Sequence, residues 1–176
     1  MTLPETDREG RYSRVCDPTW ADCADTSFAR RAGGRWNPAG EFGALYLNAS
    51  VVVAAANARR VHAGRAIGLF DLRPEARPML ALFDVPKIRV ADAVTDAALQ
   101  QLGLPPTFRA GDDWTPCQAI ARTAYSRGLA GVASRSAADA QPGSTLGEEL
   151  AVFDRLELTP IGSLPFDEWY PHPAPP

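Results

Sequence analysis

Apolar residues in this chain come in short blocks whose period changes repeatedly, with turn-forming residues between them. Ala44–Leu47 is apolar and bounded by Gly43 and Asn48, which predicts a strand. Ser50 then stands as an N-cap for a helix over Val51–His62, closed by Gly64. The valines of its first turn are poor helix formers, so burial must hold this helix. Ala66–Leu72 and Lys87–Val90 read as strands, and Asp96–Leu102 as a short helix stopped by Gly103. The spacing of Ile120, Ala121, Ala124 and Tyr125 predicts a helix over Trp114–Arg127, with Gly128 as its stop. Gly131–Ser134, Leu150–Asp154 and Leu156–Ile161 read as the late strands. Helices and strands mix without a regular βαβ alternation, which predicts an α+β fold. Residues 1–10 read as a flexible tail, 11–165 as a single domain, and 166–176 as a Pro-rich C-terminal tail.

Composition changes this picture little. A chain of 176 residues with 45% apolar and 22% charged side chains suits one soluble domain with an ordinary core. The longest apolar run, Ala49–Ala56, is broken by Ser50 and is far too short to cross a bilayer. A formal charge of −3 argues against direct nucleic-acid binding, which needs a basic excess. Lys87 is the only lysine, so arginine dominates the basic residues. Coding bias accounts for most of that, while a few guanidinium groups clamping an anion would account for the rest. Cys16, Cys23 and Cys117 make neither a CxxC pair nor an even set, and no His/Cys/Asp spacing suggests a metal. The first ten residues lack the apolar stretch of a signal peptide, so a reduced, cytoplasmic setting is expected.

The most unusual local sequence is Gly33-Gly34-Arg35-Trp36-Asn37-Pro38, followed by Gly40 and Tyr46. Paired glycines let a backbone turn sharply and approach a ligand closely. Two readings fit: a loop presenting Arg35 and Trp36 to a ligand, or a tight turn with Trp36 as a core plug and Arg35 in an ion pair. Only His62 and His172 could serve a hydrolytic triad, and no nucleophile elbow, Walker loop or GxGxxG fingerprint occurs. An arginine-rich anion site is what survives this elimination.

Gly33-Gly34-Arg35-Trp36-Asn37, Tyr46 eleven residues after the arginine, and the Ser50-capped helix together resemble the RES domain family. Tyr12-Ser13-Arg14-Val15 is similar to its early arginine motif, Trp114–Gly131 to its late helix, and Val132-Ala133-Ser134-Arg135 to its serine motif. Ala151-Val152-Phe153 is similar to its closing strand, so the resemblance spans roughly residues 11–155. It implies an ADP-ribosyltransferase-like, split and bent sheet flanked by helices. It also implies a toxin of a RES–Xre toxin–antitoxin pair, which consumes NAD by hydrolysis or phosphorolysis, with ADP-ribosyl transfer in some members. Carried over, the site residues are Arg14, Arg35, Tyr46 and Ser134, with Trp36 beside them, and the partners are NAD as substrate and an antitoxin.

The family's helix glutamate does not carry over. Its place, eleven residues after Tyr46, holds Asn57, and residues 50–65 contain no acidic side chain. Arg14 and Arg35 suit a pyrophosphate, Tyr46 suits stacking on nicotinamide, and Ser134 suits a ribose hydroxyl, an amide or an incoming nucleophile. A carboxylate would stabilise the positive charge growing on the ribose, and losing such a group costs on the order of 10²–10³ in rate. Three outcomes stay open: a slow enzyme, an NAD-binding protein without turnover, or a carboxylate from elsewhere. Glu148 and Glu149 are the leading substitutes, and Glu41 follows. The polar stretch Arg135–Thr145 reads as an inserted loop or a lid.

Overall fold

The computed structural model describes residues 2–138 and 147–171. Its backbone is a long two-stranded ribbon onto which the other strands are laid. β1 (Glu5–Cys16) runs antiparallel to β3 (Met79–Ala93), from Glu5↔Ala91 to Cys16↔Met79. The register slips between Arg8↔Ile88 and Gly10↔Val85, where Pro86 and Lys87 face the single residue Glu9. Proline cannot donate to a ladder, so it sits naturally at this bulge, and Gly10 takes up the turn with φ 105°. The bulge bends the ribbon and sends its two halves to different neighbours.

β2 (Ala44–Asn48), β5 (Glu148–Phe153) and β4 (Gly131–Arg135) pair antiparallel in that order. β4 then pairs parallel with the far half of β3, and β6 (Gly162–Leu164) pairs with the near half. One residue pair, Ser13↔Asn48, joins β1 to β2. The sheet therefore closes on itself as β1-β2-β5-β4-β3-β1, with an open seam between β1 and β2. Alternation fills the inside of this ring with Leu45, Leu47, Phe83, Val90, Leu150 and Val152.

Helices cover the outside. α3 (Asp96–Leu102) and α4 (Thr115–Ser126) pack Leu99, Ile120 and Ala124 onto Ala151 and Phe153. α2 (Val51–His62) packs Ala54, Ala55 and Ala58 near Leu80 and α5 (Phe166–Trp169). Its small residues let it lie close to the sheet, and the Ser50 hydroxyl accepts from the Val53 N–H at 3.3 Å. α1 (Ser27–Ala32) leads into the glycine loop.

The expected α+β class with a bent, split sheet holds, and α2 and α3 fall on their expected residues. Four expectations do not hold. Residues 5–10 are strand, because their charges find cross-strand partners: Arg89 on Glu5 at 2.7 Å and Lys87 on Asp7 at 3.2 Å. Ala66–Leu72 is no strand, since Leu69–Asp71 forms a single turn capped by Asp71 on the Gly68 N–H at 2.8 Å and buries Leu69. Leu156–Ile161 pairs as no strand, because Leu156 and Leu158 instead close the ring's core and pairing starts at Gly162. The C-terminal tail starts later than expected, because Phe166, Trp169 and Tyr170 are buried in an aromatic cluster. Residues 139–146, the middle of the expected lid or insertion, and His172 lie outside the described residues.

Candidate functional site

The glycine loop is a two-residue turn. Gly34 and Asn37 bridge through the Gly34 N–H to the Asn37 carbonyl at 2.8 Å, leaving Arg35 and Trp36 at the tip. The Tyr46 hydroxyl locks it from below, accepting from the Trp36 N–H at 2.9 Å and donating to Asn37 Oδ1 at 2.9 Å. Asn37 completes the lock by donating to the Ala29 carbonyl at 2.7 Å. A Cβ on Gly34 would stand 2.6 Å from the Tyr46 hydroxyl, so only glycine lets the phenol come this close. Burial pushes the Tyr46 pKa well above the ordinary phenol value, and the Trp36 N–H opposes that only in part.

Trp36 is a core plug. It packs edge-on against Phe108, and its indole N–H donates to Ser134 Oγ at 2.9 Å. Ser134 is 1% exposed, so its role in this structure is to hold the indole. Arg35 makes no ion pair among the described residues. Its Nη2 donates to the Arg109 carbonyl at 2.8 Å, it lies over the Phe108 ring, and Nη1 is buried with no hydrogen-bond partner among the described residues. Burial lowers its pKa, with Glu149 and Tyr46 among the neighbours whose charge counters that.

A cleft of about 570 Å³ opens at the β1–β2 seam, a size typical of small-molecule sites. β1 contributes Arg14, β2 contributes Tyr46 and Asn48, α2 contributes Asn57, Val61 and His62, and β5 contributes Glu149. Trp20 and Arg65 stand at its rim. Arg14 is fixed by the chain after β1, donating to the Cys23 carbonyl at 2.8 Å and facing Trp20. Its pKa is lowered, chiefly by burial.

Register builds the polar floor. Ser13, Asn48, Glu149 and Ser134 lie side by side on four strands. Asn48 Nδ2 donates to the Ser13 carbonyl at 3.0 Å, and Asn48 Oδ1 accepts from Asn57 Nδ2 at 2.6 Å. The second hydrogen of Asn57 Nδ2 goes to Glu149 Oε1 at 2.8 Å, which also accepts from Ser136 Oγ at 2.6 Å. One network thus crosses the seam from β1 to the helix and back to β5.

Of the expected site residues, Arg14, Tyr46 and Asn57 line the cleft, while Trp36 and Ser134 stand behind its wall and Arg35 beside it. Of the three candidate carboxylates, only Glu149 reaches the cleft. Glu148 points to the opposite face, where Arg8 Nε meets it at 2.6 Å, and Glu41 pairs with Arg122 at the surface. Asn48 and Ser136 went unnoticed in the sequence, although Ser134 and Ser136 share the period of a strand. Among the described residues no group of His, Cys, Asp or Glu could hold a metal ion, and no helix is long and apolar enough to cross a membrane.

Known proteins are similar to this chain in sequence and in fold. The NAD(+) phosphorylase MbcT of Mycobacterium tuberculosis and that of Mycobacterium bovis are each 36% identical over 104 residues, 59% of this chain. The match spans 55% of those relatives, so the chain aligns with just over half their length. The crystal structure of the M. tuberculosis MbcT–MbcA toxin–antitoxin complex superposes with a TM-score of 0.75 at 27% identity, over 91% of this chain and 85% of that one. The family model for the RES domain matches residues 11–167, from the seam strand to the aromatic cluster. With the family model covering nearly the whole domain and a solved structure of the same fold, the chain belongs to the RES domain family.

Proposed function

We propose that this protein is an NAD-cleaving toxin, which breaks the nicotinamide–ribose bond and passes ADP-ribose to inorganic phosphate or water, and whose partner is an antitoxin protein. The observation that carries the reading is the seam cleft, where a fixed arginine, an aromatic ring and a hydrogen-bonded carboxylate line one 570 Å³ space. The relatives named NAD(+) phosphorylase and the neighbour held in a toxin–antitoxin complex support it. A cytoplasmic site of action, where NAD is at hand, goes with this reading.

In this reading Arg14 takes the pyrophosphate, because a guanidinium matches phosphate oxygens two at a time. Arg35 adds charge beside it, and its Nη1, without a partner among the described residues, gains an acceptor when an anion arrives. The Tyr46 hydroxyl is fully used in holding the loop, so its ring face is what nicotinamide meets. Trp36 and Ser134 act as supports for that ring and loop. The leaving group is already cationic, so the site needs no acid to protonate it. It needs a grip on the ribose and a negative charge near C1′.

Asn57 favours a second reading, a protein that binds NAD without turning it over. Nicotinamide release from NAD by the purified chain, with and without phosphate, separates the two. Release that depends on phosphate establishes phosphorolysis, and release without it establishes hydrolysis. No release, together with an NAD-dependent rise in Tm, establishes the binder.

A further inference from the structure

We infer that Glu149 on β5 supplies the carboxylate that position 57 lacks, so that the acid of this site has moved from the helix to the sheet. The inference rests on the NAD-cleaving reading above. Asn57 and Glu149 converge on one point: the amide nitrogen of one lies 2.8 Å from the carboxylate oxygen of the other. A carboxylate reaching into the cleft from position 57 would therefore occupy almost the same place as the one that Glu149 puts there.

The surroundings are those of a positioned group. Glu149 sits inside the sheet, paired to Asn48 on one side and Ser134 on the other, so its backbone is fixed. Asn57 and Ser136 both donate to Oε1, and Asn57 is itself aimed by its bond to Asn48 Oδ1. Oε2 accepts no hydrogen bond among the described residues, although Glu149 lines the cleft. That leaves one carboxylate oxygen for the substrate. Glu148 and Glu41 are excluded by their partners on other faces of the molecule.

In the reaction the C1′–N bond breaks and its electron pair goes to the pyridinium nitrogen, which leaves as neutral nicotinamide. Positive charge spreads over C1′ and the ring oxygen. An oxygen of phosphate or water forms the new bond to C1′, and in hydrolysis the water's proton passes to solvent. Glu149 forms no bond to carbon. Its carboxylate accepts from the ribose hydroxyls and faces the growing charge, while Asn57 and Ser136 act as positioning residues.

The test compares Glu149→Gln with the unaltered chain in nicotinamide release. Glutamine keeps the shape and loses the charge, so kcat should fall about 10²–10³-fold while KM for NAD moves little. Adding Asn57→Glu to Glu149→Gln puts a carboxylate back at the same point and should recover at least ~10-fold of the lost kcat. A merely structural role for Glu149 would not respond to that second change. Glu41→Gln should match the unaltered chain. Should Glu149→Gln fail to fold, Ser136→Ala keeps the question open to test: it should lower kcat several-fold without lowering Tm by much. Turnover by Glu149→Gln within about threefold of the unaltered chain would overturn the inference and leave NAD cleavage standing. Failure of Asn57→Glu to restore any rate would overturn it too. Silence of the unaltered chain with and without phosphate would overturn both the inference and the reading beneath it.

Discussion

Removing one oxygen, by Tyr46→Phe, tests the account of the glycine loop. The substitution keeps the ring that faces the cleft and deletes the atom that locks Arg35 and Trp36 in place. Two groups lose their partner: the Trp36 N–H and Asn37 Oδ1, on residues 1% and 0% exposed. A buried polar group left unpaired costs about 1–3 kcal/mol, so the pair amounts to ~2–6 kcal/mol. Tyr46 borders the cleft, and water entering there can satisfy one of the two, which brings the expected loss to about 2 kcal/mol. For a domain of this size that is a drop in Tm of ~4–8 °C. Urea unfolding followed by tryptophan fluorescence should show a lower midpoint with an unchanged slope. A Tyr46→Phe protein within ~0.5 kcal/mol of the unaltered chain would mean that the phenol does not hold the loop, and the argument for the motif would fall with it.

Three further outcomes follow from the same geometry. Gly34→Ala forces a methyl group to 2.6 Å from the Tyr46 oxygen and should destabilise by about 1–3 kcal/mol; in a Tyr46→Phe background the cost should shrink, and strict additivity of the two melts would contradict the contact. Asn57→Glu alone should not raise turnover at neutral pH, because it sets a second carboxylate against Glu149 across a gap now spanned by a 2.8 Å hydrogen bond. Like charges at that distance raise the folded pair's apparent pKa above the unfolded value, so relative stability should be highest in acid and be lost as pH rises; a several-fold gain in kcat at pH 7 would refute the pairing. Burial pushes the Cys117 thiol up to about 11 and the Cys16 thiol higher still, so both should resist alkylation at pH 8 until the chain unfolds. Between the unfolded thiol value and 11 the folded state holds the Cys117 proton that the unfolded state releases, so stability should fall with pH there, less so in Cys117→Ala.

Local chemistry was legible wherever one residue decides a boundary. Ser50 and Gly103 mark the ends of α2 and α3 as expected, because capping is a contact between near neighbours in sequence. Long-range pairing was not legible. Glu5, Asp7 and Arg8 look like a solvated tail until Arg89, Lys87 and Glu148, far along the chain, come alongside. Pro86 similarly masks the length of β3, since a bulge and a strand end carry the same signal. In the site, Arg14, Tyr46 and Asn57 were singled out by the resemblance to the RES motifs, and all three line the cleft. The choice between Glu148 and Glu149 did not, because adjacent strand residues face opposite ways and only the sheet register says which way each one faces. Ser134 was legible as a position and misleading as a role, its oxygen being taken by Trp36.

The closure of the sheet also sets when during synthesis a working cleft can exist. β1, which carries Arg14, has only the single pair Ser13↔Asn48 to meet until β3 follows about seventy residues later, and Glu149 arrives later still. Contacts so distant in sequence make for slow assembly. A nascent or truncated chain ending before β5 holds the arginine and the helix amide without the acid, the register or the fixed seam. The cleft is thereby left incomplete until nearly the whole domain has been made. Under the NAD-cleaving function proposed above, that would leave incomplete chains harmless and give an antitoxin made alongside them time to be present first.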